Sequence, residues 1–127
     1  MQGKHLYEYA VVRVVPRVER EEFVNVGVIL YCKSLRFLET KFHINHERIH
    51  AFSDAVDCDE ISHHLNAFRE ISLALPGSGP IGALDAAARF RWLTATRSTV
   101  VQCSKVHPGF CEDAATTLEE LFQKLVL

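Results

Sequence analysis

Residues 23–32 are apolar, β-branched or aromatic at nearly every position, the pattern of a strand buried in mid-sheet. Strict alternation predicts one wholly apolar face of Val24, Val26, Val28, Leu30 and Cys32 and one mixed face of Phe23, Asn25, Gly27, Ile29 and Tyr31. Residues 6–16 predict a strand before it, with Ala10, Val12 and Val14 on one side and Tyr7, Tyr9, Val11, Arg13 and Val15 on the other, ended by Pro16. The charge-dense residues 17–22 join the two as an antiparallel hairpin with a solvated tip. Lys33 and Ser34 predict a turn, and residues 35–43 a third, more polar strand nearer an edge.

Past Asn45 the period changes. Residues 46–52 predict a short helix, and the strongest helical pattern follows: Asp57 as cap, Glu60 three residues on, then Ile61, Leu65, Phe68, Ile71 and Leu75 until Pro76 stops the run. Residues 76–80 predict a loop, residues 85–93 a short helix, and the β-branched residues 98–106 a fourth strand. His107, Pro108 and Gly109 predict a turn. Thr116 or Thr117 is expected to cap a last helix with an apolar stripe of Leu118, Leu121, Phe122 and Leu125. The expectation is a single α+β domain over residues 1–127, a largely antiparallel sheet of about four strands (a β-meander plus a later strand) with helices packed on it.

Bulk composition narrows the setting. A chain of 127 residues can bury one core without metal or disulfide. A formal charge of -2 gives no global attraction to nucleic acid or anionic lipid. The first residues lack the apolar core of a signal peptide, and no apolar run reaches bilayer length. Four cysteines without CxxC spacing fit reduced thiols, so the expected location is cytoplasmic.

Three motifs suggest chemistry. His46, Glu47 and His50 form a literal HExxH, the spacing that sets two imidazoles one helical turn apart on zinc with a glutamate to activate water. Its helix is short, however, and no third ligand is evident, so the metal-dependent hydrolase reading stands as the alternative. Gly77, Gly79 and Gly82 match GxGxxG but follow a helix, and Pro80 lacks an amide hydrogen, so a loop is expected. Cys103, His107 and Cys111 are evenly spaced and with Cys58 or another histidine would complete a tetrahedral zinc site, against which Cys103 reads as a thiol buried in a strand. His64 flanks the apolar stripe of the long helix as a packing residue.

A polar group remains. Arg13 and Asn25 share a side of the first hairpin in the obvious register, and Arg89, Arg91 and Arg97 surround Trp92. Together with His107 they are the expected ligand or partner contacts, as an interaction surface or, in the other alternative, as the arginine recess of a phosphate-ligand-binding enzyme. No catalytic residues and no cofactor are expected.

Residues 9–16 (YAVVRVVP) and 22–30 (EFVNVGVIL) resemble a small bacterial family, domain of unknown function 3037. So, in order, do Gly79-Pro80-Ile81, Arg89-Phe90-Arg91-Trp92-Leu93, residues 97–102, Ser104-Lys105-Val106-His107 and residues 109–113. The resemblance brings no established activity and no catalytic residues to carry over. Because such proteins are often encoded beside a HipA-like kinase, it implies an accessory module with that kinase as protein partner. A free sheet edge also allows a homodimer.

Overall fold

In the computed structural model, residues 4–97 and 99–127 are described. Met1, Gln2 and Gly3, and Ser98 at the start of the expected fourth strand, lie outside them. A five-stranded antiparallel sheet carries helices on both faces, which is the α+β class expected. Strands β1 (His5–Val14), β2 (Val24–Cys32) and β3 (Phe37–Phe42) form the meander, with β3 at one edge. The other edge of β1 is shared by β4 (Val101–Cys103) and β5 (His107–Cys111).

The expected turn at His107, Pro108 and Gly109 is therefore strand. The pairing register moves by one residue between Val12↔Cys103 and Tyr9↔His107, so the edge is one strand broken by a bulge. Ser104 holds the break: its amide donates to Val11 O, and its hydroxyl accepts from the Val11 amide at 2.8 Å, standing in for a backbone carbonyl. Pro108 fits because its nitrogen faces away from β1.

The two faces of β2 are not those that strict alternation gives. Val12 pairs with Gly27 and Arg13 with Asn25, leaving Val26 as an extra residue. Beyond this bulge the side-chain phase reverses. Val24, Val26 and Ile29 join Ala10, Val12 and Val14 in one core, whereas Val28, Leu30 and Cys32 lie in the other. Gly27 is held to glycine by close approach, since a Cβ there would stand 2.8 Å from Lys41 O and 3.0 Å from Phe42 Cβ.

The first core is covered by α1 (His46–Phe52), α2 (Cys58–Ser72) and α4 (Ala86–Thr94) through Ile49, Ile61, Leu65, Phe90 and Leu93. Asp57 caps α2 as expected, its carboxylate accepting from the Asp59 and Glu60 amides. The helix ends at Ser72, short of Pro76, because the chain turns left-handed at Ala74 (φ 53°). The Ala74 amide then donates to Ile71 O and the Leu75 amide to Glu70 O. Leu75 is thereby left exposed instead of joining the stripe. Gly79–Gly82 makes a single helical turn, α3, where a loop was expected.

The second core is closed by α5 (Ala114–Leu125), with Leu118 and Phe122 buried on it. Asp113, not a threonine, caps α5: it accepts from the Ala115 amide and the Thr116 hydroxyl. Among the described residues no helix is long and apolar enough to cross a membrane.

Gly27→Ala forces β3 away from β2 and should destabilise by about 1–3 kcal/mol. Urea denaturation should show it as a lowered midpoint with unchanged slope.

Candidate functional site

Phe68 and Ile71, one helical turn apart on α2, continue its apolar stripe past the point where the sheet buries it. With His64 and Ala67 they make one wall of a groove. Trp92 and Leu93 at the end of α4 make the second wall, and Val101, Gln102 and Cys103 of β4 the floor. The hollow measures about 190 Å³. A second hollow of about 430 Å³ adjoins it through His64 and Thr99, running to Val100 and Pro16 past the acidic Asp57 and Glu60.

The end of α4 is tied down by three groups. Arg97 donates to Leu93 O at 3.1 Å and to Trp92 O, and its guanidinium stacks 4.5 Å from the Trp92 ring centre. The Ala95 amide also donates to Trp92 O. The Cys103 thiol donates to Leu93 O at 3.5 Å. A cation over the C-terminal carbonyls of a helix is favourable, and here it satisfies groups that would otherwise be orphaned. Arg97 is thus an internal brace, and removing it frees the end of α4 before it affects any partner.

Burial pushes the Cys103 thiol up to about 12, against the smaller lowering effects of Arg97 and Arg13. A thiol held that high is protonated at neutral pH and makes a poor nucleophile.

The expected contact residues fall into two groups. Arg97, Trp92, Arg91 and Arg89 lie on α4 and the segment after it; Arg91 is exposed, and Arg89 donates to Leu84 O. Arg13, Asn25 and His107 lie on the opposite face of the sheet, with α5. Arg13 and Asn25 are cross-strand neighbours, as the hairpin register implied. The Arg13 guanidinium sits 3.9 Å over the Phe23 ring, and Asn25 Nδ2 donates to Leu125 O at the end of α5. His107 is exposed, its ring 5.3 Å from that of Tyr9. The sheet separates these groups, so one arginine recess is not assembled.

His46 and Glu47 are exposed in the first turn of a seven-residue α1. His50 Nε2 lies 3.9 Å from Cys58 Sγ. Arg48 reaches away to donate to Val126 O. Among the described residues no three His, Cys, Asp or Glu side chains converge as a metal would require, neither here nor around Cys103, His107 and Cys111.

Among the groove residues not expected as contacts are Phe68 and Ile71, which the helical pattern assigned to the core stripe, and Val101, assigned to a strand. Each is apolar at a regular spacing, and such a position looks the same whether it fills a core or lines a groove. A family model described as "Protein of unknown function (DUF3037)" matches residues 9–126. No curated protein and no solved structure matches the chain.

The raised Cys103 thiol makes stability depend on pH. The unfolded thiol ionises near its ordinary 9.0 and the folded one near about 12. Its contribution is complete below pH 9 and is lost as pH rises from 9 to 12, by at most about 1.4 kcal/mol per unit. Denaturant melts of wild type and Cys103→Ala across that range should show the shallower slope in the variant.

Proposed function

The chain belongs to the DUF3037 family, and we propose that within it the chain is a non-catalytic interaction module. It docks a protein partner, a HipA-like kinase, in the cytoplasm through the groove between α2, the end of α4 and β4. The observation that carries the reading is the groove's apolar character together with a rim of large exposed side chains. Trp92 keeps 43% of its surface exposed and Val100 keeps 39%. Hydrophobic surface left open beside a concave site is what partner interfaces use, with tryptophan among their strongest anchors.

The chemistry of the groove supports binding over catalysis. Its one thiol is protonated and bonded to a carbonyl, and the arginine beside it is engaged with the helix end. Phosphate recognition would need guanidinium donors free to point outward. Arg91 is exposed on α4 but does not line the groove. Arg13, Asn25 and His107 on the other face would be a separate contact area.

Trp92→Ala should weaken the kinase complex by about 2 kcal/mol, roughly thirtyfold, while costing under about 1 kcal/mol in stability. Tagged wild type and variant, purified gently from the native host, measure this by kinase recovery, with a thermal melt as control. Equal recovery by both would remove the groove from the interface, and no kinase with wild type would remove the kinase as partner.

A further inference from the structure

β4 has a partner on one side only. Val15 N donates to Val100 O and Ser104 N to Val11 O, so the backbone groups that face β1 belong to Val100, Gln102 and Ser104. The amides and carbonyls of Val101 and Cys103 therefore point the other way. Among the described residues no strand pairs with them. The one hydrogen bond there is from the Thr99 hydroxyl to Val101 O, at 2.7 Å, which leaves that oxygen a second lone pair.

This open edge lies in the groove. Val101, Gln102 and Cys103 all line it. Val101 and Cys103 share the α2 face of the strand and Gln102 lies between them, so the hollow runs along the backbone of β4. Opposite stands the α2 wall of Phe68 and Ile71. A gap between a strand edge and an apolar helix wall is shaped for an extended peptide, whose backbone pairs with the edge while alternate side chains enter the hollow. Further along, the edge is closed to such pairing, because the outward-facing nitrogen of Pro108 carries no hydrogen. The charge along the groove is uneven. Asp57 and Glu60 stand at its far end, whereas Arg97, which lines the near end, is engaged with α4.

We infer that the groove takes an extended segment of the partner, added as a strand to the outer edge of β4. Its apolar residues alternate, and a lysine or arginine stands at the end that overlies Asp57 and Glu60. The inference rests on the groove reading above and adds the conformation and residue pattern of what docks there.

The test begins with a random heptapeptide library displayed on phage and selected against the full chain. Selected peptides should carry apolar residues at i and i+2 with a basic residue at one end. Fluorescence polarisation with the best peptide should show at least a tenfold loss in Val101→Pro, which removes one outward amide, and less than a threefold loss in Val101→Ala, which keeps it. N-methylation of the peptide at successive amides asks the same question without altering the protein fold. Binding should be abolished at every second position only.

Enriched peptides with i, i+3, i+4 spacing would overturn the strand inference. So would binding indifferent to Val101→Pro and to N-methylation, or no enriched set at all. Those outcomes leave the groove reading to the kinase recovery of Trp92→Ala, so the two fail separately.

Discussion

Val12 faces Gly27 and Arg13 faces Asn25, so Val26 has no partner on β1, and that single extra residue sets the layout of the molecule. It shifts the phase of β2 in mid-strand, so one continuous apolar run supplies both layers. Val24, Val26 and Ile29 go to the α2 side and Val28, Leu30 and Cys32 to the α5 side. Without the bulge, Val24 and Val26 would share a face with Val28 and Leu30, while Asn25 would point into the core under α2, where an unpaired amide costs about 1–3 kcal/mol. With it, Asn25 reaches the end of α5 and donates to Leu125 O. The tight contact of Gly27 with β3 belongs to the same device, because the bulged strand lies too close to its neighbour for a Cβ.

The second device is the tied-off end of α4. Its last carbonyls accept from the Arg97 guanidinium, the Ala95 amide and the Cys103 thiol, joining helix, connecting segment and β4. The local polar groups thereby satisfy one another, and the groove beside them is left apolar. The arginines that suggested an anion site in the sequence largely serve the fold: Arg97 at the end of α4, Arg89 on Leu84 O, and Arg13 stacked on Phe23. What faces outward is an aromatic rim and a strand edge, which suits a polypeptide ligand.

Much of the fold could be read from local chemistry. The meander, the Asp57 cap and the short helix around Phe90 all follow from periodicity and capping residues. Features that depend on pairing could not be read this way. A bulge has no mark in a run as uniformly apolar as β2, and α2 ends on Ala74 in a left-handed conformation that glycine would have signalled. β5 holds a proline and a glycine that in isolation favour a turn, yet an edge position tolerates the first, and the second lies against Tyr7. At the site, Trp92 and Arg97 were legible as a pair, but their separation from Arg13 and His107 is set by which face each strand residue takes. That depends on the bulge and on the β4–β5 break.

The measurement that bears most directly on this account is methyl NOE spectroscopy of the selectively labelled protein, read along β2. The bulged strand predicts that Val24, Val26 and Ile29 methyls see Leu65 and Ile61 of α2, while Val28 and Leu30 methyls see Leu118 of α5. If Val24, Val26, Val28 and Leu30 instead all report the same helix layer, β2 runs without a bulge, and the separation of the two faces on which the groove depends would be wrong.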